Sequence, residues 1–251
     1  MNIFTHINDA YLGVLEDVFM NSDYTSAPRG FPIREKVDYS FRILNPTSGA
    51  IITRDLERNK VIALYTQKEM DLYNSCSNRV EDFVKASKFW EKLQNPDGTL
   101  NSAYGFLIWG NKSHGSFFEG DASQGGLVPV MRTPWEWAKQ SLITDKDTRQ
   151  AILRFSLPQH QWVGNRDQTC TMHGNWLIRD NKLHLSVVMR SCDVVKGLAY
   201  DMPFFCSLID KMVEELKSTY PTLVKGTYTH IVHSIHIYER DSDKIIGMLG
   251  L

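Results

Sequence analysis

Residues 183–201 read LHLSVVMRSCDVVKGLAYD, a strand-like run that stops at a charged corner. Leu183 to Met189 alternates in the way a half-buried strand does, and Arg190-Ser191-Cys192-Asp193 closes it. Working upstream, Asn175 to Ile178 is a second strand, and Asp180-Asn181 between the two is a hairpin-type turn. Downstream, Phe204, Phe205, Leu208, Ile209, Met212, Val213 and Leu216 recur at helical spacing and stop before Pro221. Thr229 to Tyr238 alternates again, with Val232, Ser234, His236 and Tyr238 on one face. Towards the N-terminus, Ala10, Tyr11, Val14, Leu15, Val18 and Phe19 predict a helix over 9–19. A strand follows at 39–44 and stops at Asn45-Pro46; a second helix runs over about 60–73. The middle is loop-rich, with Gly105, Gly110, Gly115, Gly120 and Gly125-Gly126. A helix at 135–142, a polar turn at 145–148 and a strand at 151–157 complete the chain. The expected class is α+β, a sheet with long helices packed on it. No repeat or linker divides residues 1–251, so a single domain is expected.

The bulk numbers narrow the function classes. Twenty-eight basic and 29 acidic residues leave a net charge of -1 with no basic block, which argues against a nucleic-acid polymer as partner. A small anion held by a few placed arginines fits better. No window approaches the roughly 18 uninterrupted apolar residues of a membrane span. MNIFTHINDA lacks the basic and apolar regions of a secretion signal, so a cytoplasmic protein is expected. Cys76, Cys170, Cys192 and Cys206 form no C-x-x-C pair and no zinc-like cluster with histidine. Each is by default a buried free thiol.

Some side chains stand out on physical grounds alone. Ile62, Tyr65, Glu69 and Leu72 fall on one stripe of the second helix, which puts a carboxyl on a core-facing position. Such burial raises a carboxyl pKa and suits proton transfer near neutrality; drawn one position over, the same stripe makes Glu69 a surface residue. His236 and Tyr238, two apart on a strand, share a face and can meet one ligand group. Asp201 precedes Met202-Pro203 and a helix, the position of an N-cap.

Combining Cys170, twenty residues before Arg190, with Arg190-Ser191-Cys192-Asp193, His236-Ile237-Tyr238 and Tyr104-Gly105, the chain resembles the thymidylate synthase family. The resemblance runs from the first helix to about Arg240. Thr171 after the cysteine, Asn101-Ser102-x-Tyr104-Gly105 and Arg190-Ser191-x-Asp193-Val194-Val195-x-Gly197 look closer to the branch of phage deoxycytidylate hydroxymethylases. What the resemblance implies is one-carbon transfer to C5 of a pyrimidine nucleotide, with 5,10-methylenetetrahydrofolate as cosubstrate, no metal, and a homodimer that uses a sheet face. Carbon 5 is a poor nucleophile, and adding a thiolate at C6 activates it. Cys170 matches that thiol, and Arg190 the arginine that approaches both the thiol and the substrate phosphate, since a free thiol titrating near ~8.5 needs a cation beside it.

Glu69 matches the family's proton-handling glutamate, and Tyr104 the tyrosine near the proton lost from C5, each with a core or surface role as the bland alternative. Phosphate binding falls to Arg29, Arg190 and Ser191. Arg149 matches an arginine that reaches the neighbouring subunit's site, although Gln150 stands where the family often has a second arginine. His236 and Tyr238 match the pair on the 3'-hydroxyl, and Asp193, Gly197 and Trp90 the pterin side, with Trp90 equally a core residue. Asp201 stands where thymidylate synthases carry Asn: a carboxyl accepts from the N4 amino group of cytosine while sharing a proton with N3. The expectation is therefore a deoxycytidylate hydroxymethylase. The alternatives are hydroxymethylation of CMP, methylation of dCMP, thymidylate synthesis from dUMP, or a non-catalytic nucleotide-binding relative. The chain ends 13 residues past Tyr238, so the long closing segment that keeps water out of thymidylate synthases is expected to be largely missing, which favours capture of water and a hydroxymethyl product.

Overall fold

The computed structural model describes residues 1–110 and 132–251, together with the backbone of two short strands between them. The glycines at 115, 120 and 125–126 of the expected loop-rich middle lie outside the described residues. The elements are β1 (Asn2–Phe4), α1 (Ile7–Met20), β2 (Tyr24–Ser26), β3 (Ile33–Ile43), α2 (Leu56–Asn74) and the short α3 (Val80–Phe83). Next come β4 (Phe117–Glu119), β5 (Val128–Val130), α4 (Pro134–Thr144), β6 (Ile152–Arg154), β7 (Thr171–Arg179), β8 (Lys182–Met189) and β9 (Cys192–Asp193). α5 (Ala199–Leu216), β10 (Val224–Tyr238) and α6 (Ser242–Leu249) follow.

One mixed sheet organises the chain, in the order β1-β3-β10-β8-β7-β6, with β2 on β3 and β9 on β10. β10 is its spine, antiparallel to β3 and parallel to β8 and β9. One face of β8, with Leu183, Leu185, Val187 and Met189, is buried beneath α5, whose stripe from Phe204 to Leu216 is equally buried. The strands alternate because their other face is only half covered: His173, Asn175, His184 and Ser186 line it. The class is α+β, as expected. Among the described residues no helix is long and apolar enough to cross a membrane.

The β7–β8 hairpin turns at Asp180 and Asn181, both at positive φ (48° and 58°). This is the pair of left-handed residues that a two-residue hairpin loop demands, and Asp and Asn adopt it more readily than other side chains. Its register runs from Arg179↔Lys182 at the turn to Thr171↔Met189 at the open end. A bulge between Thr171 and His173 kinks β7 beside that end, where such irregularities often re-aim a side chain.

The helix expected after Asp201 begins earlier. A π-turn over Val194–Leu198 runs straight into α5, and the side chain that caps it is Asp193, which accepts from the Val195 and Lys196 amides at 2.9 and 3.2 Å. Asp201 therefore sits inside the first turn of α5 and makes no cap bond, which corrects the N-cap reading. The strand expected over 151–157 is shorter, Ile152–Arg154, because Phe155 and Ser156 turn their amides onto the bulged Met172 carbonyl.

Candidate active site

The hairpin register brings the chemistry together. Since β7 starts at Thr171 opposite Met189, Cys170 and Arg190 face each other across the open end, and the Arg190 amide donates to the Cys170 carbonyl at 2.9 Å. The guanidinium is fixed by the Thr169 and Gln168 carbonyls at 3.1 and 2.6 Å, and its Nη2 points at Cys170 Sγ from 3.7 Å. The cation therefore stands where the sequence expected it. Burial nevertheless pushes the Cys170 thiol up, Asp201 and Asp167 add to that, and Arg190 and Arg29 only partly offset it. Before a ligand arrives the sulfur is a thiol held beside a cation.

Tyr104 is anchored one residue further on, where its hydroxyl accepts from Thr171 Oγ1 at 2.8 Å and from the Thr171 amide at 3.3 Å. Its ring stacks on Tyr73 of α2 at 5.5 Å. Gly105 makes that approach feasible: a Cβ there would lie 1.8 Å from the Tyr73 carbonyl oxygen, so no side chain fits.

α2 supplies Glu69. Its buried residues are Ile62, Thr66, Glu69 and Tyr73, so the expected stripe is rotated slightly: Thr66 and Tyr73 replace Leu72, and Tyr65 and Leu72 lie at its half-buried margin. Glu69 is inside, as expected. Burial pushes its carboxyl up to about 7, against hydrogen bonds from Tyr73 and Tyr65 that pull it down. A group with that pKa exchanges protons readily near neutral pH.

This burial predicts a stability effect with a definite sign. The folded pKa lies above the unfolded one, so ionising Glu69 costs stability as pH rises from about 4.5 towards 7, and the penalty is complete above that. Glu69→Gln is expected to be more stable than the parent at pH 8, by roughly 3 kcal/mol, and equal to it near pH 4. Urea melts at the two pH values check this.

Two further carboxyls share the region. Asp201 lies against Gly197, where an added Cβ would meet its Oδ2 at 3.4 Å. Burial, then the charges of Glu69 and Asp193, holds it well above the usual carboxylate range. Asp193 is also raised by burial, with His236 the strongest opposing influence. That neighbour follows from the parallel pairing of β9 with β10, which sets His236 opposite Asp193. Both cap bonds fall on Asp193 Oδ1.

His236 and Tyr238 share a face with their rings edge to face at 5.3 Å. The loop carrying Arg29 (Pro28–Gly30) comes alongside because β3 pairs with the end of β10, Ile33 opposite Tyr238. Arg29 has φ 56°, a left-handed backbone that projects an exposed side chain, and its charge acts on both Cys170 and Tyr238. Ser191 is half-exposed between β8 and β9. Trp90 is 8% exposed and packs on Phe83 and Phe89, so it is largely a core residue that joins the site through its hydrogen bond to Tyr65. Arg149 is exposed in the turn between α4 and β6, and no contact joins it to this cluster.

Sequence reading missed three participants. Asp167 is a buried carboxyl that accepts from the Ser102 amide and hydroxyl at 2.9 and 2.6 Å and braces the loop before Cys170. Tyr73 touches the carboxyl group of Glu69 as well as Tyr104. Tyr65, four residues before Glu69, was legible as an i,i+4 neighbour but not as a partner. Among the described residues no group of three His, Cys, Asp or Glu side chains is arranged to hold a metal ion. A separate open cavity of about 530 Å³, walled by Asn78, Asn95, Asn101, His160 and Trp162, contains none of the titratable groups of this cluster.

The thymidylate synthase family model matches residues 9–250. A deoxycytidylate 5-hydroxymethyltransferase of Enterobacteria phage T6 is 29% identical over 183 residues, 70% of this chain and 67% of that protein. A thymidylate synthase of Clostridium beijerinckii is 20% identical over 239 residues, 94% of this chain and 79% of that one. Among solved structures, the thermostable thymidylate synthase A of Bacillus subtilis superposes with a TM-score of 0.68 at 19% identity, covering 97% of this chain and 84% of that chain. The chain belongs to the thymidylate synthase family and is an enzyme that transfers a one-carbon unit from 5,10-methylenetetrahydrofolate to a pyrimidine nucleotide.

Proposed function

We propose that the nucleotide is dCMP and the product 5-hydroxymethyl-dCMP, with Cys170 as the nucleophile. The observation that carries the base assignment is Asp201: a carboxyl beside Gly197, without a cap bond, held well above the usual carboxylate range by burial and by the nearby charges of Glu69 and Asp193. A protonated carboxyl offers one donor and one acceptor. Those match N3 and the N4 amino group of cytosine, and the carboxyl can also pass its proton to N3 and then accept from both, a state open to cytosine and closed to uracil, whose N3 already carries a hydrogen. The activity named for the phage T6 relative agrees with this reading.

In this scheme Arg29, Arg190 and Ser191 hold the phosphate, and His236 and Tyr238 the 3'-hydroxyl. Cys170 Sγ adds to C6 and gives up its proton, with Arg190 at 3.7 Å stabilising the negative sulfur as it forms. Glu69 and Tyr104 handle the protons at the ring, including the one lost from C5. The folate supplies the methylene carbon and leaves as tetrahydrofolate, and Asp193, Gly197 and Trp90 are the residues that would hold its pterin. Water supplies the hydroxyl of the product. Incubation with dCMP, CMP and dUMP plus methylenetetrahydrofolate, with products identified by mass, tests the assignment. A methylated dUMP as main product overturns it, and hydroxymethylated CMP would move the sugar assignment to ribose.

The half-covered sheet face with His173, Asn175, His184 and Ser186 supports a two-fold dimer, and the exposed position of Arg149 supports its serving the partner's phosphate site. Mixing Arg149→Ala subunits with Cys170→Ser subunits is expected to restore activity, because one site of each heterodimer regains both residues. A monomer in sedimentation, or no recovery after proven subunit exchange, overturns this arrangement.

A further inference from the structure

Glu69 is gripped by a short relay. Tyr65 stands one helical turn before it on α2, and its hydroxyl lies 3.3 Å from Glu69 Oε1 and 3.2 Å from Trp90 Nε1. An indole N–H has no lone pair to offer, so it only donates. The Tyr65 oxygen therefore accepts from Trp90, and its single hydrogen is left for Glu69. Both ends are clamped. Trp90 sits in the 3-10 turn Lys88–Lys92, buried edge-on against Phe83 and Phe89 at 5.1 and 5.9 Å. The Tyr65 ring rests on Tyr200 at 4.5 Å, and Arg58 holds the Tyr200 hydroxyl at 3.2 Å and the Val195 carbonyl at 2.8 Å.

We propose that Tyr65 is a positioning residue for Glu69: its hydroxyl, oriented by Trp90, holds Oε1 and so fixes the carboxyl for proton exchange with the pyrimidine. The inference rests on the reading of Glu69 as the proton-handling carboxyl. The relay has a direction. A hydrogen bond donated to the ionised carboxylate favours that form, so it counters the rise that burial imposes. The titratable groups that face Glu69 are Tyr65 and Tyr73 from its own helix, and Tyr200 and Asp201 from α5. Of these, Asp201 is held well above the usual carboxylate range, and the tyrosines are pushed above their ordinary value by burial.

Tyr65→Phe keeps the ring against Tyr200 and removes only the hydroxyl. The Glu69 carboxyl carbon can be titrated by carbon-13 NMR in glutamate-labelled protein, with Glu69→Gln identifying its resonance. Its midpoint is expected to rise by about one unit in Tyr65→Phe, the size of one hydrogen bond to a charged group. The kcat–pH profile should move its Glu69-dependent limb the same way, with kcat at pH 7 down roughly tenfold. Trp90→Phe leaves the hydroxyl but frees its orientation, and should move the midpoint in the same direction by less. This second variant carries the test if Tyr65→Phe does not fold. An unmoved Glu69 midpoint in the folded variant overturns the relay. Glu69→Gln separates the two levels. If it retains turnover, the underlying assignment of Glu69 falls; if it is inactive while the Tyr65→Phe midpoint stays put, the relay alone falls.

Discussion

Cys170→Ser is expected to lose turnover altogether, a fall on the order of 10⁴ or more in kcat. The thiol of this half-buried cysteine is already raised, and the Arg190 cation at 3.7 Å, with Arg29 adding to it, is what favours its ionisation. A serine hydroxyl starts several units higher and is a far poorer nucleophile in the same setting. Arg190 will not move, because its guanidinium hangs on the Gln168 and Thr169 carbonyls rather than on the sulfur. The groups assigned to phosphate and sugar lie on other elements: the 28–30 loop, the β8–β9 corner and the end of β10. The nucleotide should therefore still bind, with an affinity that calorimetry finds within a few-fold of the parent's. Intact-mass analysis should show the covalent nucleotide adduct in the parent protein and none in the variant. Substantial product from the pure variant would remove Cys170 from its role.

What the sequence disclosed about this site follows from how local each signal was. Helices α1, α2, α4 and α5 were legible because their apolar period is complete within one segment: Asp9 to Phe19 was expected and Ile7–Met20 is found. The β7–β8 hairpin was legible because Asp180-Asn181 is a turn of two residues. Sheet order was not, since β10 joins β3, nearly two hundred residues earlier, only through backbone pairing. The π-turn at Val194–Leu198 also escaped, because nothing in Val-Val-Lys-Gly-Leu departs from an ordinary helix start. That miss placed the helix cap on Asp201 rather than on Asp193. The candidate site divides in the same way. Glu69 could be named from its helix stripe, and Cys170, Arg190 and Asp201 from the family resemblance; the hairpin register explains why twenty residues of sequence separate two groups in contact. Asp167 and Tyr65 could not, since a carboxyl in a loop and a tyrosine on a helix margin acquire meaning only from what packs against them.

Asp201→Asn is expected to exchange the base preference, and the correction of the cap makes this a cleaner test. Because Asp193 caps the helix, the substitution touches no cap bond, and a carboxamide has the shape of the carboxyl it replaces. The melting temperature should therefore change by little. What does change is the hydrogen-bond inventory. A carboxyl can place its proton on either oxygen and can surrender it to N3, whereas an amide presents one fixed donor and one fixed acceptor, the pair that uracil's N3–H and O4 require. A mismatch at a buried polar edge costs several kcal/mol, so the dCMP-to-dUMP ratio of kcat/KM should swing by up to about 10⁴ in favour of dUMP. Glu69 supplies an internal check. Its carboxyl is protonated below about 7 and ionised above, so a loss of dCMP activity that belongs to Asp201 should appear at pH 6 as well as at pH 8. An unchanged dCMP-to-dUMP ratio in a well-folded variant would sink the cytosine assignment and leave dUMP as the better substrate hypothesis.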